Sequence, residues 1–216
     1  MQVIACLSQK GGVGKSTLSR LIAVSFAASK WRVKIADFNL KQKTSIDWAA
    51  MRLDRGFEPP VAAEAADNVR QVLLQRDLYD LMVFDGRPDS EPTSLDIARA
   101  ADLVICPAGV TADDLRPQIR FANELRAKGV HRDGIWFAIN KSIDSLLAVA
   151  EARETIESHG YGVFKTDVPM RTGYQIAQNS GRALNETTFP SLNERADALA
   201  SEVFKALNKA TKELAK

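Results

Sequence analysis

The sequence is poor in the features that mark several classes of protein. It has only two cysteines, Cys6 and Cys106, which lie far apart in apolar runs. Neither has a further cysteine or a histidine at metal-ligand spacing, so we expect reduced core thiols rather than a disulfide or an iron–sulfur site. No apolar run reaches the roughly 18–20 residues of a membrane span, and no basic segment precedes the first apolar run. We therefore expect neither a transmembrane helix nor a signal peptide, and a cytoplasmic protein.

The chain also lacks a strong excess of either charge. Its 29 Lys and Arg oppose 27 Asp and Glu, for a formal net charge of +2. A nucleic acid or membrane partner would therefore need a local basic patch. The 216 residues are 45% hydrophobic and 26% charged, which is typical of a globular protein with a sizeable core. Since no repeat or low-complexity linker divides the chain, we predict a single domain over residues 1–216.

Short apolar runs alternate with amphipathic segments. The predicted strands are Val3–Leu7, Val33–Ala36, Leu81–Phe84, Leu103–Cys106 and Ile135–Ile139. Three segments that follow predicted strands have apolar residues at helical spacing and are predicted helices. Their apolar residues are Leu18, Leu21, Ile22 and Phe26; Leu115, Ile119, Ala122 and Leu125; and Leu146, Val149, Ala150 and Ile156. The alternation predicts an α/β fold with a doubly wound, mostly parallel sheet flanked by helices. The stretch Phe57–Asn68 is predicted to be an irregular connection.

A glycine-rich segment stands between the first predicted strand and the first predicted helix. It reads Ser8-Gln9-Lys10-Gly11-Gly12-Val13-Gly14-Lys15-Ser16-Thr17. Glycines let backbone N–H groups turn toward one anion, and the helix N-terminus adds positive partial charge. In such a loop Lys15 reaches the outer phosphates and the Ser16 hydroxyl can bind Mg²⁺. The segment therefore predicts a P-loop for ATP and Mg²⁺, with Gln9 in place of the usual first glycine and Lys10 as an additional lysine.

With its additional lysine, the segment Lys10-Gly11-Gly12-Val13-Gly14-Lys15-Ser16 resembles the deviant Walker A motif of the ParA/MinD ATPases. Further segments match the family in order along most of the chain. Asp37-Phe38-Asn39-Leu40-Lys41-Gln42-Lys43-Thr44-Ser45 resembles its switch I, and Leu40 and Lys41 replace the usual Pro and Gln. The run Tyr79–Asp85 resembles its Walker B strand. Asn140-Lys141 and Pro169-Met170 fall where family members contact the adenine base, so Asn140, Pro169 and Met170 are predicted base contacts.

The resemblance implies an ATPase that is active as a homodimer with ATP bound. The phosphate-binding residues would be Lys10, Gly11, Gly12, Val13, Gly14, Lys15, Ser16 and Thr17. Among them, Lys10 would cross the dimer interface to the partner subunit's phosphates. Asp37 and Asp85 each end an apolar run, where a carboxylate reaches Mg²⁺ through water, so they join Ser16 as predicted metal-site residues. The alternative reading is that both carboxylates merely mark strand ends.

Asn39 stands where family members usually have an aspartate that holds the attacking water. Asparagine can hydrogen-bond that water but cannot accept its proton. Phosphoryl transfer depends mainly on positioning, so we expect slow rather than absent hydrolysis, with Lys10, Lys15, Asp37 and Asn39 as catalytic residues. A nucleotide-binding scaffold without hydrolysis is the non-enzyme alternative.

Local basic clusters offer a surface for DNA in spite of the small net charge. The predicted DNA contacts are Arg116, Arg120, Arg171, Arg182, Lys205 and Lys209. Non-specific DNA binding requires such clustered cations. ParA-like members bind DNA as ATP dimers and release it when a partner protein stimulates hydrolysis. The resemblance therefore implies non-specific DNA and a ParB-like or other adaptor as partners, nucleoid association, and a plasmid, chromosome region or protein as cargo.

Two alternative functions stay open, a MinD-like membrane-associated positioning ATPase and a P-loop kinase of a small metabolite. MinD-like members position their cargo from the membrane through a membrane-seeking C-terminal helix. Here the stripe of Leu199, Val203, Phe204, Leu207 and Leu214 is predicted to pack in the core instead, and the last residues are mostly Lys and Ala. A P-loop kinase of a small metabolite would need a substrate pocket but would not need Lys10.

Overall fold

Strands and helices largely alternate along the chain. The structure is a computed structural model that describes residues 1–88, 91–143 and 145–214. The strands are β1 Gln2–Cys6, β2 Val33–Asp37, β3 Ala62–Ala65, β4 Leu81–Asp85, β5 Leu103–Ala108, β6 Ile135–Ser142, β7 Gly162–Val163 and β8 Val168–Pro169. The helices are α1 Lys15–Ala28, α2 Thr44–Asp54, α3 Val69–Leu73, α4 Glu91–Ala100, α5 Ala112–Ala127, α6 Leu146–Ser158, α7 Thr172–Asn179 and α8 Pro190–Leu214. Short 3₁₀ turns occupy Arg132–Gly134 and Leu184–Glu186.

The sheet has the order β3-β2-β4-β1-β5-β6-β7, and β8 pairs with β6. Every pair is parallel, which confirms the predicted α/β architecture. Helices α3, α4, α5 and α6 pack on one face, and α1, α2, α7 and α8 pack on the other. Because β1 lies at the centre with β4 and β5 beside it, the loops that follow these strands meet at the carboxyl edge of the sheet.

All five predicted strands are present; four begin at the predicted residue, the first begins one residue earlier, and the carboxyl ends differ by one to three residues. The expectation for Phe57–Asn68 is wrong, because this stretch contains edge strand β3. Its sequence Ala-Ala-Glu-Ala has no β-branched or aromatic residue, so it carries no strand signal. Backbone pairing with β2 creates the strand instead, and Lys34 on β2 forms a 2.6 Å ion pair with Glu64 on β3.

The predicted apolar face of α6 is partly wrong. Val149 and Ile156 are buried, but Ala150 is exposed and Leu146 is 88% exposed. The buried stripe continues through Ala152 instead. Leu146 lies in the first turn of α6, and only from Val149 onward does the stripe meet the core.

The cysteines agree with expectation, and the last helix agrees in part. Cys6 and Cys106 are free and buried, and burial raises the pKa of each thiol to about 12. They lie on the paired strands β1 and β5 but belong to the cores on opposite faces of the sheet. Leu199, Val203 and Leu207 of α8 are buried, whereas Phe204 is 41% exposed and contacts the rings of Phe26 and Trp31. The side chain of Leu214 lies outside the part of the chain that the structure describes. Within the described part of the chain, no helix is long and apolar enough to span a bilayer.

Candidate nucleotide-binding site

The glycine loop joins β1 to α1 at the carboxyl edge of the sheet. Gly12 and Gly14 have φ of 74° and 100°, and α1 begins at Lys15 with no acidic residue in its first turn. A Cβ on Gly14 would lie 1.8 Å from the Asn140 amide nitrogen, so both conformation and space require glycine there. The loop therefore presents glycine backbone and the positive end of a helix in one place, which is the geometry of an anion site.

Strand β6 supports this loop from the side. The Asn140 side-chain amide donates to the Val13 carbonyl at 2.7 Å, and the Lys141 ammonium donates to the Gly12 carbonyl at 2.6 Å. Lys141 itself has φ of 56°, a conformation that non-glycine residues rarely adopt. Both side chains thus donate hydrogen bonds to carbonyl groups of the glycine loop. A loop-supporting role for this pair was not apparent from the sequence, where Asn140 was a predicted base contact only.

The two lysines of the loop have different environments. The Lys15 side chain is buried, and its ammonium donates to the Lys10 carbonyl at 3.0 Å. The Lys10 ammonium lies 2.5 Å from the Asp114 carboxylate of α5. A hydrogen bond from Lys10 lowers the pKa of Asp114, and the Thr111 hydroxyl donates to the second carboxylate oxygen at 2.8 Å. In the single chain, the Lys10 ammonium therefore forms an ion pair with Asp114 of α5.

Asp37 and Asp85 are aligned at the ends of β2 and β4. Burial raises the pKa of both, that of Asp85 to about 6. Asp37 accepts the N–H groups of Asn39 and Ser45, each at 2.9 Å, and so shapes the loop after β2. The Ser45 hydroxyl donates to Oδ2 of Asp85 at 2.6 Å, whereas Oδ1 is buried with no partner among the described residues.

The unpaired Oδ1 of Asp85 tests whether the residues present fit a magnesium ion. The Ser16 and Thr44 hydroxyls lie 3.1 Å apart, and Ser16 is near enough to Asp85 to lower the pKa of that carboxyl. Hard cations such as Mg²⁺ prefer this set of carboxylate and hydroxyl oxygens together with phosphate oxygens. Among residues 1–88, 91–143 and 145–214, no group of three His, Cys, Asp or Glu side chains could hold a metal. The donors thus fit an ion that is held jointly with a phosphate, and Thr44 and Ser45 add hydroxyls to which the sequence assigned no role.

Asn39 is turned toward its own loop. Its amide nitrogen donates to the Gln42 side chain at 2.8 Å, and its amide oxygen accepts the Gln42 N–H at 3.3 Å. Asn39 is half-buried, beside the left-handed residue Lys43 at φ 48° that precedes α2. Orientation of a water by Asn39 requires this amide to change partners, so that role stays a prediction.

A cleft of about 350 Å³ adjoins the glycine loop. It is lined in part by Thr17, Asn140, Pro169, Met170, Arg171 and Gln178. Pairing of β8 with β6 brings the predicted base-contact residues together, although about thirty positions separate them in the chain. A larger cleft of about 600 Å³ lies beside β3, but the glycine loop does not line it. Volume alone therefore does not select the site.

The predicted DNA contacts do not form one patch. Arg116 and Arg120 are exposed on α5, whereas Lys205 and Lys209 are exposed on α8, on the opposite face of the sheet. Arg171 lies beside the 350 Å³ cleft. The Arg182 guanidinium is 4.5 Å from the centre of the Phe57 ring and half-buried. These four places are candidates to be tested separately.

Comparison with known proteins identifies the family of the chain and solved structures that have a similar fold. The profile of the CobQ/CobB/MinD/ParA nucleotide binding domain matches residues 4–213. Maintenance of carboxysome distribution protein A of Gloeobacter kilaueensis is 27% identical over 188 residues, which cover 85% of this chain and 83% of the relative. The structure of the MinD cell division protein of Aquifex aeolicus has a TM-score of 0.74 at 15% identity, covering 95% of this chain and 98% of that chain. The structure of pNOB8 ParA bound to nonspecific DNA has a TM-score of 0.67 at 15% identity, covering 98% and 99%.

Proposed function

Because the chain belongs to the CobQ/CobB/MinD/ParA nucleotide-binding family, we propose that it is a ParA-type ATPase that dimerises with ATP, binds DNA non-specifically and positions a cargo. The observation that carries the proposal is that the glycine loop and the buried Oδ1 of Asp85, for which the described residues offer no partner, lie at the same edge of the sheet. An anion cradle and a metal-seeking carboxylate at one sheet edge are the parts that phosphoryl transfer requires.

The residues present support a division of roles around Mg·ATP. Magnesium bound with ATP would neutralise part of the triphosphate charge in the transition state. Ser16 and, through water, Asp85 would hold that ion. Lys15 would exchange the Lys10 carbonyl for a phosphate oxygen, and the Asn39 amide would orient the attacking water. Because an amide cannot take a proton from water, hydrolysis is expected to be slow until an adaptor assists.

The pairing of Lys10 with Asp114 supports ATP-dependent dimerisation. Their side chains are 48% and 24% exposed, and ion pairs of this kind contribute only about 0.2–1 kcal/mol. The triphosphate of a second subunit offers Lys10 several negative charges and would displace such a pair. Asp114→Asn is therefore expected to lower the ATP concentration at which half of the chains are dimeric, measured by light scattering. A dimer that needs more ATP would show instead that Asp114 positions Lys10 for the crossing.

A protein cargo is favoured by the name of the curated relative, which refers to carboxysome distribution. DNA as the track is favoured by the fold shared with a DNA-bound ParA. Because the basic clusters lie on different faces, the charge of each cluster is reversed in a separate variant. One double variant changes Arg116 and Arg120 to Glu, and the other changes Lys205 and Lys209 to Glu. The variant that loses DNA while keeping ATP-dependent dimerisation identifies the contact face.

The central test is retention on non-specific DNA with ATP and with ADP. We expect retention with ATP alone, and its loss in Lys10→Ala. Lys30→Asn is the matched control, because it removes a lysine at the opposite end of α1 and asparagine tolerates the left-handed φ of 70° at that position. Equal retention in both nucleotide states and in both variants would defeat the proposal.

A further inference from the structure

One arginine of α1 connects two parts of the site that are remote in sequence. Arg20 lies one turn after Ser16, and its guanidinium makes two hydrogen bonds in different directions. One nitrogen donates to the Thr44 carbonyl at 2.5 Å, and the other donates to the Gln178 side-chain oxygen at 3.0 Å. The remaining nitrogen, Nε, is buried without a partner among the described residues. Arg20 is therefore held by its two contacts, at a cost in desolvation that burial of a charge implies.

The first contact is at the predicted magnesium end of the site. Thr44 is the first residue of α2, and its hydroxyl is 3.1 Å from that of Ser16. The next residue, Ser45, donates to Asp85 and also gives its N–H to Asp37. A shift of the Thr44 carbonyl would therefore move hydroxyl and carboxylate oxygens together.

The second contact is at the cleft beside the loop. Gln178 on α7 lines the 350 Å³ cleft, and its amide nitrogen donates to the Arg182 carbonyl at 3.0 Å. Both ends of the Gln178 amide are thus engaged. Because Gln178 also lines the cleft, a base that fills the cleft would pack against it and restrict the acceptor that Arg20 uses. The planar guanidinium suits this task, because its donors point in fixed directions, whereas a lysine ammonium is a point charge.

We propose that Arg20 is a positioning residue that links occupancy of the base cleft to the order of the α2 start, Thr44 and Ser45, where magnesium would bind. The inference rests on the proposed nucleotide binding and goes beyond it, because it names the side chain that couples base recognition to the metal end. Base binding would hold Gln178, Gln178 would hold Arg20, and Arg20 would hold the Thr44 carbonyl.

A second arginine provides a matched control. Arg20 and Arg52 both lie against the Trp48 ring, at 5.5 and 5.6 Å from its centre. Arg52 is fully buried but bonds to Glu186 and to the carbonyls of Pro59 and Gly181, outside the nucleotide site. If Arg20 only packs the core, Arg20→Lys and Arg52→Lys should have the same kind of effect.

The first measurement is hydrogen exchange of the α2 start, residues 42–48, with ADP in EDTA, so that no metal takes part. In the wild type, ADP is expected to slow exchange of these amides about tenfold, since one charge-assisted hydrogen bond has this order of strength. Arg20→Lys should bind ADP but lose the slowing, whereas Arg52→Lys should keep it in spite of lower stability. Slowing that persists in Arg20→Lys would overturn the inference.

The second measurement uses milder substitutions in case the arginine variants do not fold. Gln178→Leu removes the acceptor of Arg20, and Gln175→Leu changes another glutamine that lines the same cleft on α7. The gain in ATP affinity on replacing EDTA by Mg²⁺ should fall about tenfold in Gln178→Leu and stay unchanged in Gln175→Leu. Equal gains in both variants would refute the link. A wild type that binds neither ADP nor ATP would instead refute the proposed function.

Discussion

The buried carboxyl of Asp85 makes the stability of the protein depend on pH in a direction that can be worked out. Burial raises its pKa from 3.8 to about 6, so the folded chain holds a proton that the unfolded chain releases earlier. Stability should therefore fall as pH rises from about 4 to about 6 and then level off, because above that range Asp85 is ionised in both states. The ionised carboxylate is a strain on the fold at neutral pH.

The size of this strain follows from the same pKa values. A difference of about two pH units corresponds to about 3 kcal/mol. In Asp85→Asn the amide oxygen can still accept the Ser45 hydroxyl. The amide nitrogen would take the buried place of Oδ1, where no described residue offers a partner, at a cost of about 1 kcal/mol. We expect the substitution to stabilise the protein by about 2 kcal/mol at pH 7.5, or roughly 4–8 °C in Tm for a chain of this size.

The assay is denaturant unfolding in EDTA at pH 7.5 and at pH 4.5, with Asp80→Asn as the control. The gain from Asp85→Asn should vanish at pH 4.5, where the wild-type carboxyl is protonated when folded. The side chain of Asp80 is 40% exposed and bonded to Arg32, which lowers its pKa to about 2, so its substitution should have the same effect at both pH values. A loss of stability in Asp85→Asn that is equal at both pH values would refute the reasoning. Asp85→Asn should also bind Mg·ATP more weakly than the wild type.

Three further substitutions test separate parts of the site. Asn39→Asp should raise the ATPase rate severalfold, because aspartate can accept a proton from water, and an unchanged or lower rate would remove Asn39 as the cause of slow turnover. Gly14→Ala should weaken ATP binding more than about tenfold in calorimetry, because its Cβ meets Asn140 and its φ is positive, whereas the fold should persist; normal affinity would show that the loop adapts. Arg52→Ala should lower the free energy of unfolding by about 3–5 kcal/mol, because it leaves Glu186 without its partner, and a loss below about 1 kcal/mol would contradict the assigned role of this pair.

Local patterns in the sequence were sufficient for the fold class and for locating the glycine loop between β1 and α1. Five apolar strands separated by amphipathic helices allow few arrangements other than a parallel sheet with covered faces. The glycine loop is recognisable because its contacts are backbone contacts made by neighbouring residues. Strand β3 escaped recognition because its alanines have no strand preference, and it exists only through pairing with β2.

The sequence by itself determined which residues can do chemistry, and the tertiary structure decided which of them meet. Lys10 and Asp114 lie 2.5 Å apart, although 104 positions separate them in the chain. Arg20 contacts Gln178, and the α5 and α8 clusters fall on opposite faces of the sheet. Such facts have no local signal, because strand order and the face on which each helix packs are properties of the whole chain. Strand order and helix placement are set when all the apolar faces are buried together in one fold. Only the folded chain therefore fixes the distance between two side chains that are remote in sequence.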